Sequence, residues 1–379
     1  MSPAPAVFDT PRYGAASLAD LAPSVLASLG VPGEPNVLGL VPSRRACVLL
    51  VDGMGWEALR ANREHAPFLA SLLEGGGPLT AGFPTTTATS LTSFGTGAAP
   101  GHHGILGYQV AVPGHDRVMN SLSWDPGIEP EEWQPRRTVY QRAEAAGVHA
   151  SYVAAGMFEG SGFSRASARG SRYVAADGIT ALLAQAEAQL HAAQRCFVFV
   201  YHSALDSNGH HYGVDSSHWR HHLALVDRFA ERLAAVLPPD AALYITADHG
   251  MVDIGADARV DVESDPELNA GVRVLAGEAR ARQVYTRPGA TPDVLAAWRE
   301  RLEGRAVVVS REEAIAEGWF GPVGEEFLPR IGDVLALAHG DTALVAPEAE
   351  RIESALAGHH GSLTPAELRV PLLRFSPEG

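Results

Sequence analysis

Ala46-Cys47-Val48-Leu49-Leu50-Val51-Asp52-Gly53 is the stretch that decides the fold. Its uninterrupted apolar run leaves no polar face, which predicts a strand covered on both sides, as in a parallel sheet flanked by helices. The run stops at an acid followed by glycine. Similar runs follow at 149–155, 197–202 and 243–247, and 369–375 offers another near the C-terminus. Ala-rich segments of helical spacing lie between them, notably 179–193 and 219–236. This alternation predicts an α/β fold with a doubly wound, mostly parallel sheet and helices on both faces. Right-handed crossovers then line up the loops that follow the strands along one edge, where a site is expected.

Before this strand, residues 1–45 read as a Pro- and Ala-rich arm with one helix-like stretch over 17–29, whose Leu18, Leu21, Val25 and Leu29 share a face. From 256 to 346 the pattern loosens into shorter elements, including strands at 305–309 and 334–338, and reads as an inserted lid or cap subdomain. The core would then comprise 46–255 and 347–379.

Composition narrows the chemistry. All 29 basic residues are Arg, which removes a P-loop lysine, a Schiff-base lysine and a lysine general base. A net charge of -15 argues against a nonspecific grip on nucleic acid, since that grip needs surplus cations. An acidic chain can still bind phosphate if metals hold it. Cys47 and Cys196 each open an apolar run and read as buried thiols. The opening Met1-Ser2-Pro3-Ala4-Pro5 lacks the basic start and apolar stretch of a secretory signal, and no run reaches the roughly 18 apolar residues of a membrane span. A cytoplasmic protein with no membrane partner is expected.

Four short segments place acids and imidazoles at expected strand ends. Asp52-Gly53 closes the first strand; alone, it reads more often as a turn. Asp206 and His210 are spaced to share one face if their segment is helical, although a capping Asp and a surface His fit too. Asp248-His249-Gly250 follows another strand, and both side chains reach forward only if a tight turn is present. His359-His360-Gly361 is weak by itself. Together these acids and histidines match a borderline-soft divalent cation such as zinc, which accepts N and O donors at about 2.0–2.2 Å. A nucleophile candidate lies in Gly82-Phe83-Pro84-Thr85-Thr86-Thr87-Ala88-Thr89-Ser90, where the residues after proline can open a helix ending near Gly95 or Gly97. A hydroxyl at a helix N-terminus meets the positive end of the dipole and free amides, although plain N-capping gives the same pattern.

These motifs resemble the nucleotide pyrophosphatase/phosphodiesterase branch of the alkaline phosphatase superfamily. From Asp52 to His360 they run in the family's order: Asp-Gly, then Phe-Pro-Thr-x-Thr, then Asp-x-x-Gly-His-x-x-Gly from Asp206 to Gly213, then Asp-His-Gly-Met, then His-Gly. The 256–346 stretch shows no such match. The resemblance implies an alkaline phosphatase-like fold and two divalent metal ions, expected to be zinc. One would be held by Asp206, His210 and His360, the other by Asp52, Asp248 and His249, with Thr87 touching the second as its alkoxide. His359 rivals His360, but the family's ligand directly precedes the glycine. Where nucleotide-cleaving members commonly carry Asn three residues after the nucleophile, this chain has Ser90, a candidate substrate contact.

The implied activity is cleavage of phosphodiester or nucleotide pyrophosphate bonds in small phosphate esters or nucleotides. Thr87 would attack phosphorus, and water would hydrolyse the phosphothreonine, with net retention at phosphorus. A phosphomonoesterase or a phosphonate C–P hydrolase would use the same bimetal core, and a non-catalytic metal- and phosphate-binding module would keep the ligands alone. A sulfatase needs a Cys or Ser in a Cys/Ser-x-Pro-x-Arg context, and neither cysteine stands in one. Among the remaining polar groups, His102-His103 and His221-His222 read as structural or surface pairs. His202 and His211 could orient ligands, and Trp56, Tyr108, Phe158 and Trp319 could line a pocket.

Overall fold

Two sheets organise the chain in this computed structural model. The larger contains β1 (Arg45–Val51), β2 (Gly77–Thr80), β3 (His149–Ala154), β4 (Arg172–Ala175), β5 (Cys196–His202), β6 (Ala241–Thr246) and, last in the chain, β11 (Arg369–Phe375). The smaller contains β7 (Val272–Glu278), β8 (Ala281–Thr286), β9 (Ala306–Ser310) and β10 (Val334–Ala338). The structure describes residues 8–377; residues 1–7, which carry the stretch read for a secretory signal, and 378–379 lie outside the described residues.

The large sheet runs β2-β11-β6-β1-β5-β3-β4. Its strands β1, β3, β4, β5 and β6 are parallel, and β11 runs antiparallel to β6 and β2. Every residue of β5 and β6, and all of β1 except Arg45, is buried, as continuous apolar strands require when helices cover both faces. Cys47 and Cys196 are free and buried in this core. The doubly wound, mostly parallel arrangement is the one expected.

Helices α1 (Leu18–Ser28), α2 (Thr87–Thr96), α3 (Ile179–His191), α4 (Ala204–Tyr212) and α5 (Ser217–Ala235) pack around the sheet. The α1 face of Leu18, Leu21 and Val25 is fully buried in the main core, and Ser17 and Asp20 form a capping box at its start. Although rich in Ser and Thr, α2 is buried throughout, and most of its hydroxyls find partners: Thr92 and Thr96 donate to the carbonyls of Ala88 and Thr92 at 2.7 Å. Gly97 ends it at φ 65°.

The smaller sheet is antiparallel in the order β7-β8-β10-β9. Along β10, Val334, Ala336 and Ala338 pack in a separate cluster with Trp298, while Leu335 and Leu337 belong to the main core. Alternation along the strand therefore ties this sheet to the body.

Candidate metal centre

Strands β5, β1 and β6 are neighbours and end at one level, with Val51 opposite His202 and Leu50 opposite Thr246. The three loops after them therefore converge. Asp52 follows β1 directly and its N–H donates to the His202 carbonyl at 2.9 Å. Helix α4 starts soon after β5, and its turn brings Asp206 Oδ1 to 3.4 Å from His210 Nε2. Asp248 and His249 follow β6. His360 arrives from the C-terminal segment, which is clamped by the fully buried pair Arg280–Glu367 at 2.8 Å.

Glycines allow these loops to touch. A Cβ on Gly250 would stand 2.0 Å from the Ala366 carbonyl oxygen and 2.9 Å from Gly55 Cα. Gly53, at φ +74°, would place a Cβ 2.9 Å from Asp206 Cα. Gly250→Ala should therefore cost about 3 kcal/mol of stability through overpacking against backbone. Urea denaturation measures this, and an unchanged midpoint would contradict the close approach.

Two three-residue groups result: Asp206, His210 and His360, and Asp52, Asp248 and His249, with the potential ligand atoms of each group within 4.8 Å of one another. Their hydrogen bonding calls for cations. His210 Nδ1 faces the Gly358 carbonyl at 2.8 Å, His360 Nδ1 the Thr85 carbonyl at 2.8 Å and His249 Nδ1 the Gly250 carbonyl at 3.1 Å. A carbonyl only accepts, so each Nδ1 carries the proton and each Nε2 presents a lone pair. Those lone pairs face further acceptors: His249 Nε2 lies 3.3 Å from Asp52 Oδ1, and His360 Nε2 lies 3.2 Å from His210 Nε2. Asp52 Oδ1, Asp206 Oδ1 and Asp248 Oδ2 are buried without hydrogen-bond partners. Orphaned carboxylate oxygens opposite imidazole lone pairs fit divalent cations and little else.

Electrostatics agree. Burial first, then Asp248 and Asp206, holds the Asp52 carboxyl well above the usual carboxylate range, with the Tyr201 hydroxyl opposing. Burial also raises Asp206, and burial followed by His249 and His210 drives His360 well below the usual imidazole value. Bound cations would reverse these penalties.

Thr87 is the first residue of α2, 8% exposed, with Oγ1 at 3.3 Å from His249 Nε2. The peptide before Pro84 is cis. Above Thr87 opens a cavity of about 220 Å³, whose floor includes Asp206, His210 and His360.

The remaining expectations separate. His359 is buried apart from both groups, its Nε2 at 3.1 Å from the Leu356 carbonyl, and burial pushes it down to about 3. Ser90 is buried one turn into α2 and does not line the cavity, and its Oγ has no partner. His202 turns away to stack on His222, with 2.9 Å between their Nε2 atoms, and His211 faces its own helix at the Ser207 carbonyl, so neither side chain orients a ligand. His103 bonds Ser93 at 3.0 Å inside the core. Of the aromatic candidates Tyr108 lines the cavity, whereas Trp319 packs on Phe83 and Phe158 on Tyr201. Sequence reading missed Tyr201, whose hydroxyl donates to Asp52 Oδ2, and Glu278, whose Oε2 lies 3.7 Å from His360 Nδ1. Tyr201 carried a usable signal, since it precedes the strand-end His202 beside β1. Glu278 carried none.

A family model described as type I phosphodiesterase / nucleotide pyrophosphatase matches residues 46–363. No curated protein matches the chain. Among solved structures, murine ectonucleotide pyrophosphatase/phosphodiesterase 5 is similar with TM-score 0.69 and 18% identity over 88% of each chain. The same values hold for that murine protein as an inactive threonine-to-alanine variant in complex with AMP. The human ectonucleotide pyrophosphatase/phosphodiesterase 5 gives TM-score 0.68 and 18% identity over 88% of each chain. At this identity the likeness shows a shared, alkaline phosphatase-like fold.

Proposed function

Because the chain belongs to the type I phosphodiesterase / nucleotide pyrophosphatase family of metal-dependent hydrolases, we propose that it cleaves phosphodiester or nucleotide pyrophosphate bonds with Thr87 as nucleophile. The observation that carries this reading is the gathering of three orphaned carboxylate oxygens and three imidazole lone pairs into two groups, with the Thr87 hydroxyl 3.3 Å from His249 Nε2 of one of them. Asp206, His210 and His360 would hold one zinc ion, and Asp52, Asp248 and His249 another. The ions, when bound, supply Lewis acidity and neutralise charge on the reacting oxygens.

The chain's own residues do the rest. The N–H groups of the first α2 turn precede the first helical bond, from Ser90 N to the Thr86 carbonyl at 3.0 Å, so they are free to face a phosphoryl oxygen. Thr87 Oγ forms a bond to phosphorus as the ester oxygen departs with the bonding pair and takes up a proton. Water then bonds to phosphorus as the Thr87 Oγ–P bond breaks, which restores the hydroxyl. Two inversions give net retention. Tyr201 holds Asp52 in place, and the carbonyls of Thr85, Gly358 and Gly250 fix the three imidazoles. Residues 256–346 act as a cap that brings Glu278 over the floor. The structural neighbour crystallised with AMP supports a nucleotide-sized phosphate ester as one substrate class.

The test compares bis-p-nitrophenyl phosphate, p-nitrophenyl phosphate and phosphonoacetate with zinc-loaded protein. The diester should turn over fastest. Preference for the monoester or the phosphonate would reassign the reaction on the same core, and inertness toward all of them would favour a binding module.

A further inference from the structure

Both carboxylates of the Asp52, Asp248 and His249 group have one oxygen taken. Asp248 Oδ1 accepts from the N–H groups of Gly53 and His249, at 3.2 and 3.0 Å. Asp52 Oδ2 accepts from the Tyr201 hydroxyl. What remains are the orphaned Asp52 Oδ1 and Asp248 Oδ2, and the lone pair of His249 Nε2. Each residue can therefore offer a cation a single atom. The other group is built differently: among the described residues no hydrogen bond claims either oxygen of Asp206.

The spacing of the remaining atoms is that of a four-coordinate ion. His249 Nε2 lies 3.3 Å from Asp52 Oδ1, 3.6 Å from Asp248 Oδ2 and 3.3 Å from Thr87 Oγ1. Donors around a tetrahedral ion with bonds of about 2.0–2.1 Å stand about 3.3–3.4 Å apart. Neighbours in an octahedral shell of the same bond length stand only about 2.9 Å apart. A carboxylate binding through both oxygens would add a fifth donor and break this arrangement. For Asp248 the guard against that is backbone, fixed by the turn after β6. For Asp52 it is one side-chain hydroxyl.

The sheet places Tyr201 for this role. It lies opposite Leu50 in the β1–β5 register, and alternation turns Asp52, two residues past Leu50, to the same side. The tyrosine is 7% exposed, with Phe158 edge-on against its ring at 6.0 Å between centroids, so the hydroxyl has little freedom to leave Asp52. Tyr201 does not line the cavity above Thr87, so it meets a ligand of the ion and not the substrate.

We propose that Tyr201 is a positioning residue that sets the choice of cation. By holding Asp52 Oδ2 it keeps Asp52 a one-oxygen ligand, which favours four-coordinate zinc over six-coordinate, oxygen-seeking manganese(II) at this group. The inference rests on the reading of Asp52, Asp248 and His249 as metal ligands. A tyrosine that merely satisfied a buried oxygen would weaken every ion alike when removed.

Titration of chelated protein with zinc and with manganese(II), alone and in competition, followed by elemental analysis, reads the choice directly. Wild type should bind two zinc ions per chain. In Tyr201→Phe one of them should bind roughly 10–100-fold more weakly, with the other unchanged. The zinc-to-manganese affinity ratio of the weakened ion should fall about tenfold, because Asp52 can then close on the larger ion with both oxygens. The phenylalanine keeps the buried ring, and a cooperative thermal melt of the chelated variant checks its fold. Cobalt(II)-loaded wild type tests the arrangement without a substitution: visible absorption should have the strength of at least one four-coordinate ion per chain. Unchanged zinc affinity in Tyr201→Phe, zinc and manganese weakened in equal proportion, or only weak six-coordinate absorption from the cobalt protein overturns the role of Tyr201 and leaves the two-metal reading standing. Wild type that binds fewer than two divalent ions overturns both.

Discussion

Thr87→Ala is expected to lower kcat toward a nitrophenyl diester by roughly 10³-fold or more, while the purified variant keeps the metal content of the wild type. The two effects part because the six acid and imidazole donors form their groups without the threonine. On the proposed mechanism, removing the hydroxyl takes away the atom that would bond to phosphorus and none of the six donors that form the two groups. The fold should tolerate the change, since Ala suits the first position of a helix and the preceding Thr86, in extended conformation at φ -132°, still leads the chain into α2. Thr87→Ser retains an oxygen in the same place and should recover part of the rate. Mass spectrometry after rapid acid quench adds an independent readout: a phosphoryl adduct should appear on the peptide containing Thr87 in the wild type and be absent from Thr87→Ala. A Thr87→Ala enzyme of wild-type rate would mean that water attacks directly and that this hydroxyl only lines the site.

The legibility of fold and site divides along a physical line. Strands buried on both faces announce themselves, because nothing polar interrupts them; β1, β5 and β6 lie within a few residues of their expected bounds, and β11 matches at 369–375. The residues that end those strands were legible only in combination, since any one acid or imidazole after such a run also fits a turn, a cap or the surface. The hairpin of β7 and β8 went unread. Its second strand carries Arg282 and Gln283, fully buried, and their polarity hides a buried strand from any apolar pattern. Most of their partners lie far along the chain: Arg282 pairs with Glu350, and Gln283 donates to the Leu106 carbonyl at 2.6 Å and accepts from Gly332 N–H at 2.9 Å. Burial of this kind is decided by tertiary partners, which no local pattern contains. Glu278 belongs to that hairpin, so its place in the cavity was lost with it. His202 failed for a related reason: its place in the chain next to a ligand motif was right, but the direction of its side chain was set by His222 on α5, one element further on.

Asp248→Asn should remove one of two metal ions per chain, read by elemental analysis after dialysis, and should abolish turnover, yet make the chelated protein more stable than chelated wild type. The sign of that last effect follows from the hydrogen bonds. Asp248 Oδ1 accepts from Gly53 N–H at 3.2 Å and from His249 N–H at 3.0 Å, and an amide oxygen can keep both. The other oxygen is the orphan, 3.6 Å from the His249 Nε2 lone pair. An amide nitrogen there turns a repulsion into a donor–acceptor contact, and it removes a carboxylate that burdens Asp52. Removing such a buried like-charge conflict is worth on the order of 1–3 kcal/mol. Linkage gives a second signature. Asp52 has a folded value raised above the unfolded one, so the chelated folded chain binds more protons than the unfolded chain as pH rises from about 4 toward that raised value. The Asp52 contribution to the stability of chelated wild type therefore falls as pH climbs through this window, against the opposite contribution of the lowered His360, and Asp248→Asn should lose less of it. Zinc loading inverts the slope, because ligands must shed protons to bind metal. Thermal melts of both proteins from pH 5 to 8, with and without zinc, measure all of these terms. If Asp248→Asn still carries two ions, or if its chelated form melts below chelated wild type across that range, the buried aspartate is a structural group and the second cage is wrongly assigned.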